Sequence, residues 1–285
     1  MTFTMKTTLL SLAMLAALSA GAQTIGGGDL PPIKPVEKTV YDSAQVKVYY
    51  EYAYRPDSTR LKKWIKGQTV LLVGNRYTGF SDFYSLRSDS LNDAYYREKR
   101  SPMELVGPMF GVMGNAKYDY PLVINMADNK ATVQIDCAIT FEYTQQLQPL
   151  PWTLAGGDSI IAGVHCKKAT CRMGGRDWTA WYSEEYTLPI GPYLFRGLPG
   201  LIFAVSDTKN NYVFTLNGLE TLYKPEPIYL KVPSDRIVLL RKKAFKAAKN
   251  IADDPQSAWE MTGKHIWTED VSRLPSWSYN PIETE

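Results

Sequence analysis

His165-Cys166-Lys167-Lys168-Ala169-Thr170-Cys171-Arg172-Met173-Gly174-Gly175-Arg176-Asp177-Trp178-Thr179-Ala180-Trp181-Tyr182-Ser183-Glu184 is the stretch that decides the fold. Two runs of strand-forming residues flank a glycine doublet, the pattern of a two-residue β-hairpin turn. Such a turn fixes the register. Met173 then faces Arg176, Cys171 faces Trp178, Ala169 faces Ala180, Lys167 faces Tyr182 and His165 faces Glu184. On the other side Arg172 faces Asp177, Thr170 faces Thr179, Lys168 faces Trp181 and Cys166 faces Ser183. The second side carries an ion pair, a threonine pair and a cation–π pair, the chemistry of a wet face. The first side carries Met173, Cys171, Trp178, the alanines and the Tyr182 ring. It is expected to cover an apolar core or to line a cavity.

The same register constrains the thiols. Cys166 and Cys171 lie an odd number of residues apart on one strand and should point to opposite faces. Their Cα atoms would be about 16 Å apart, beyond the reach of a disulfide. A bridge would require Cys137, with either Cys166 or Cys171 as partner.

Working outward, β-type signals dominate. Gln45 to Tyr54, Thr69 to Val73 and Ala131 to Tyr143 read as strands, with several more between Trp152 and Asn217. Ser81 to Lys99 is polar and partly helical in pattern. Between 101 and 130, Pro102, Gly107-Pro108, Gly111, Gly114 and Pro121 argue against a long regular element. Pro233-Ser234-Asp235 reads as a helix start. Ile237, Leu240, Ala244, Ala248 and Ile251 form the apolar stripe behind it, and Arg236, Arg241, Lys242, Lys243, Lys246 and Lys249 form a basic remainder. The expected fold is mainly β: an antiparallel, strongly curved sheet or half-open barrel with one or two helices, one of them this C-terminal basic amphipathic helix.

The beginning of the chain predicts export. Lys6, the apolar run Leu9 to Leu18 and the small residues Ala20-Gly21-Ala22 form a secretory signal peptide, with cleavage expected after Ala22. The apolar run is too short to span a bilayer, and no later segment is long and apolar enough. The expected division is 1–22 signal peptide, 23–40 flexible leader, 41–252 β-rich domain and 253–285 tail. Location in the periplasm, at the outer membrane or outside the cell follows from export. A net charge of +3 over 285 residues does not suggest a nucleic-acid partner.

Phe195-Arg196-Gly197-Leu198-Pro199-Gly200-Leu201-Ile202 holds a second decisive pattern. The glycines permit conformations that other residues resist, and Pro199 fixes φ. Leu201, Phe203 and Val205 then alternate along a strand. Asp207 to Asn211 turns the chain, and Tyr212 to Leu216 returns as the partner strand. The motif residues Gly197, Leu198, Pro199, Gly200, Leu201 and Ile202 resemble the string that names the GLPGLI family of exported Bacteroidota proteins. Ile161 to Ala169, Gly175 to Tyr182, Leu188-Pro189, Gly191-Pro192 and Ser81 to Ser85 are similar to further family motifs in the same order. Val164 departs from the aromatic usual there, and the 100–130 region is longer. The resemblance implies export and a shared β-rich fold, and carries over no catalytic residue. A looser likeness to half-open sheets wrapped around a helix, as in periplasmic lipoprotein carriers, concerns fold alone.

No nucleophile elbow, zinc-protease motif, Walker loop or dinucleotide fingerprint is present. Neither catalytic residues, metal ligands nor a cofactor are assigned. The expected function is a non-enzymatic binding or carrier module for an apolar small molecule or an envelope protein. Trp178, Tyr182, Leu198, Leu201 and Phe203 are the candidate lining. The alternative is an envelope hydrolase or metal-handling protein using His165 with Glu184 or a thiol. Oligomeric state is left open.

Overall fold

A computed structural model describes residues 30–257 and 275–284 of the chain. The expected signal peptide, His265, Trp259 and Trp267 lie outside the described residues. Among these residues 45% are in strands and 18% in helices, and a single twelve-stranded sheet stays open.

The strands are β1 (Lys38–Tyr54), β2 (Ile65–Val73), β3 (Tyr77–Asp82), β4 (Leu122–Asn125), β5 (Lys130–Cys137), β6 (Ile139–Gln146), β7 (Thr153–Ile161), β8 (Val164–Met173), β9 (Arg176–Ser183), β10 (Leu201–Asp207), β11 (Tyr212–Lys231) and β12 (Ile237–Val238). Their order is β12-β6-β5-β4-β3-β2-β1-β11-β10-β9-β8-β7. Every neighbouring pair is antiparallel except β12 with β6. Short reversals join most neighbours, whereas the β1–β11 pair brings distant parts of the chain together. That pair joins the two halves of the sheet.

The β8–β9 ladder runs in the expected register from Met173–Arg176 to Lys167–Tyr182. Trp178, Ala169, Ala180, Cys171 and Tyr182 are buried, while Arg172 and Asp177 are exposed and paired at 3.3 Å. The expected order fails at the open end. Cys166 and Ser183, expected on the wet face, are both buried. The ladder stops at Lys167–Tyr182, so strict alternation no longer governs the residues beyond it. None of the three cysteines forms a disulfide with a described residue. Burial pushes the Cys166 thiol up to about 11 and that of Cys171 up to about 12.

Three helices are described whole: α1 (Phe83–Arg97), α2 (Pro102–Met113) and α3 (Arg241–Asp253). Asp82 caps α1 by accepting from the N–H groups of Tyr84 and Ser85. Helix α2 corrects the expectation for 101–130. Ser101 and Glu104 form a capping box, and Pro102 takes the first turn, where no donor is needed. Gly107 and Gly111 face open space, and the helix tolerates Pro108 in its interior.

Helix α3 starts later than expected. Pro233 to Arg236 form a turn, and Ile237-Val238 then pair with Phe141-Glu142, so Ile237 and Leu240 are exposed. The stripe holds from Ala244 onward, with Ala248, Ile251 and Ala252 buried. The single strand expected over 131–143 is a hairpin that reverses at Ala138, at φ +65°. No glycine or asparagine marks that turn.

The leader expected over 23–40 joins the fold earlier than its composition suggested. Asp93 of α1 accepts from Val36 N and Lys38 Nζ, Asn92 donates to Lys34 O, and Ile33 packs beside Tyr95 and Leu105.

The main core is unusually rich in tyrosine. Tyr52 stacks on Tyr54 and Phe214 and meets Tyr118 edge-on. Burial raises the pKa of Tyr50, Tyr52, Tyr118, Tyr193 and Tyr212. In the unfolded chain these phenols ionise near pH 10, while in the folded chain they stay protonated beyond it. Their stabilisation is therefore complete below pH 10 and is lost as pH rises above it. Each group that stays protonated costs about 1.4 kcal/mol of stability per pH unit there. Urea midpoints should be flat through pH 8–9 and fall steeply above pH 10, with tyrosinate absorbance rising together with unfolding. A tyrosinate absorbance near pH 10 that counts all 19 tyrosines while the fold is intact would contradict this.

Candidate functional site

Gly174 and Gly175, both at positive φ (+57° and +77°), make the tight turn at the β8–β9 tip. Segment 275–284, part of the tail expected over 253–285, packs against this turn. A Cβ on Gly174 would stand 2.7 Å from Glu283 Cγ, so the absent side chain is the space through which the segment passes. The Gly174 carbonyl accepts from Thr284 N at 2.7 Å.

Arg176 follows the turn and is 8% exposed. Its guanidinium donates to the backbone carbonyls of Pro281 (2.5 Å) and Ile282 (3.1 Å) and to Asn280 Oδ1 (2.6 Å). Asp207, at 3.4 Å, supplies the countercharge. The guanidinium also lies over the Tyr212 ring, 5.2 Å from its centroid. Asp207 is held in turn by Tyr212 N and Asn211 Nδ2.

The rest of the segment is fixed in the same manner. Tyr212 Oη donates to Asn280 O at 2.5 Å, and Asn280 Nδ2 donates to Arg55 O at 2.7 Å. Trp277 N donates to Ala252 O, and Tyr279 Oη to Phe245 O. Ile282 is fully buried in the main core. The Glu283 carboxylate accepts from Tyr193 Oη and from Arg241. Tyr193 adopts φ +54°, a strained conformation for a bulky residue. Five of these bonds reach backbone atoms of the segment, at Trp277, Asn280, Pro281, Ile282 and Thr284, and the rest reach the side chains of Tyr279, Asn280 and Glu283. The side-chain readings are Ile282 in the core, Glu283 on Tyr193 and Arg241, and Asn280 on Arg176.

Beside the segment is a cavity of ≈ 40 Å³ lined by Tyr52, Tyr54, Tyr120, Asp136, Cys137 and Trp277 among others. It can hold water, whereas drug-sized ligands need hundreds of cubic ångströms. Trp277 Nε1 is buried without a hydrogen-bond partner among the described residues. Burial raises the Asp136 carboxyl above its usual range.

The five residues expected to line a ligand cavity lie elsewhere. Trp178, Tyr182, Leu198, Leu201 and Phe203 are all buried within the main core, and none borders this cavity. The Trp178 ring meets Phe195 at 4.7 Å, and Trp152 Nε1 donates to Arg196 O. The 195–202 motif is therefore packed against indoles. Gly200 is obligatory for space: a Cβ there would stand 2.0 Å from Ser183 O.

His165 does not meet Glu184. It is exposed opposite Ile160 of β7, and Glu184 pairs with Lys167 at 2.9 Å. Among the described residues no three His, Cys, Asp or Glu side chains converge as a metal site. No described helix is long and apolar enough to cross a membrane.

Sequence reasoning missed Arg176, Tyr193, Tyr212, Asn280 and Glu283. The hairpin register did place Arg176 on the inward side next to the turn. A charged residue there is a signal that it has a buried partner.

No family model matches the chain, and no curated protein matches it. Two crystal structures of PNGF-II, in space groups P21 and C2, are similar to it, with TM-scores of 0.46 and 0.45 at 10% and 9% identity. Each alignment covers 73% of this chain and 33% of the PNGF-II chain, so this chain spans about a third of that protein's length.

Proposed function

We propose that the chain is an exported, non-enzymatic binding module of the cell envelope, of GLPGLI type, whose ligand is an extended segment of a protein partner. The ligand would lie in the cleft where residues 275–284 now lie. One observation carries this reading. Arg176, Tyr212 and Gly174 hold that segment largely through its backbone, which is how extended peptides of differing sequence are held. Support comes from the strained Tyr193, whose hydroxyl is aimed at Glu283. The sheet, in this reading, is a half-open barrel filled by polypeptide, which leaves no room for an apolar small molecule. The signal-like residues 1–22 support export.

The test is a labelled peptide of residues 275–285 added in trans. The chain carrying Ile282→Ser and Glu283→Ala should hold its own segment weakly. It is expected to bind the peptide at least about tenfold more tightly than the unsubstituted chain, because the competent, vacant state is more populated. Two folded chains that both ignore the peptide would remove the reading.

A further inference from the structure

The β12 edge of the sheet combines two features that the cleft does not explain. The first is apolar exposure confined to a few consecutive residues. Val238 is 64% exposed, Leu240 72% and Ile237 37%. Single exposed apolar residues are ordinary, but a contiguous group marks a surface with a partner.

The second feature is charge. Between 236 and 252 the chain carries six basic side chains and no acidic one. Helix α3 turns Ala244, Ala248 and Ile251 into the core. Lys242, Lys243, Lys246 and Lys249 are therefore left on its exposed side. The acidic groups nearby are already matched. Glu142 is held by Arg236 at 3.0 Å, Asp253 by Lys249 at 2.5 Å and Glu283 by Arg241. Lys242, Lys243 and Lys246 form no ion pair with a described residue, so this edge presents uncompensated positive charge directly after its apolar group.

We infer that residues 237–249 form a docking surface for the anionic headgroups of a lipid bilayer. Val238 and Leu240 would enter the boundary between headgroups and acyl chains, and the lysines would meet phosphate at the same level. Apolar groups at the interface and lysines on the polar side are the two components of peripheral membrane attachment. Lysine stems add apolar cover while their charges stay at the headgroups.

The experiment is co-sedimentation of the chain from Gln23 onward, which retains every described residue, with vesicles. One set is phosphatidylcholine alone and the other contains about one-third phosphatidylglycerol. Binding is expected on the anionic set, at least about tenfold tighter than on the neutral set and weakened by salt. Lys242→Glu with Lys243→Glu should lower it about tenfold or more. Val238→Asp with Leu240→Asp should lower it comparably, with far-UV circular dichroism unchanged. Absence of binding to the anionic vesicles overturns the proposal. Binding that ignores Val238→Asp with Leu240→Asp also overturns it, and points to a soluble acidic partner instead.

Discussion

Arg176→Ala is expected to lower the unfolding free energy by about 3–5 kcal/mol, the cost of removing one partner from a buried ion pair. The residue sits where three requirements meet. Asp207 is buried and loses its nearest countercharge. The carbonyls of Pro281 and Ile282 lose their donor in a place water cannot easily reach. The Tyr212 ring loses the cation above it. Segment 275–284 should loosen first, so the amide of Thr284, bonded to Gly174 O, should exchange hydrogen far faster than the β8–β9 amides. Arg176→Met combined with Asp207→Asn should recover part of the loss, since no charge is then left alone. Urea unfolding of the unsubstituted chain, Arg176→Met, Asp207→Asn and the combined variant measures the cycle. A loss below about 1 kcal/mol for Arg176→Ala would mean that the pair is solvated and the cleft is open to water.

Gly200→Ala is expected to cost more than about 3 kcal/mol, at the severe end for a single methyl group. Its new carbon would stand 2.0 Å from Ser183 O, 2.6 Å from Ser183 C and 3.0 Å from the Glu184 Cα. All three are backbone atoms, so no side chain can swing aside. Relief requires parting β10 from β9 where Leu201 pairs with Ser183. Gly197, three residues earlier in the same motif, is the control. It has φ +89° but open space around its missing side chain. Gly197→Ala should cost only the conformational penalty of about 1–2 kcal/mol. Thermal and urea unfolding should separate the two. Equal losses would show that conformational freedom, rather than close approach, explains both glycines.

The parts of the fold legible in the sequence were those with local causes. Gly174-Gly175 set a two-residue reversal, and the β8–β9 register from Met173–Arg176 to Lys167–Tyr182 followed from counting back along each strand. Leu201 to Asp207 and its return at Tyr212 were readable because a turn rich in Asp and Asn separates two apolar runs. The stretch Ser81 to Lys99 was readable as partly helical, and α1 lies within it. What failed lacked a periodic signal. Helix α2 contains two glycines and two prolines, and exists because of a capping box at Ser101 and Glu104. The reversal at Ala138 has no turn residue. The candidate lining was read correctly as inward-facing, but the sequence could not say that the inside is full. The residues that fill it around Arg176 come from 275–284, where one isoleucine and a run of polar and aromatic side chains show neither helical nor strand spacing. Their role depends on backbone carbonyls, which every sequence has, so composition alone does not mark them.

The placement of Ile282 and Glu283 has a consequence for how the protein is made. Residues near the far end of the chain seal an interior built from strands that emerge much earlier from the ribosome. Until Ile282 and Glu283 arrive, Arg176 has only Asp207 and the Tyr212 ring, and Tyr193 lacks its carboxylate acceptor. Closure of the interior therefore waits for a segment made 106 residues after the hairpin that it seals.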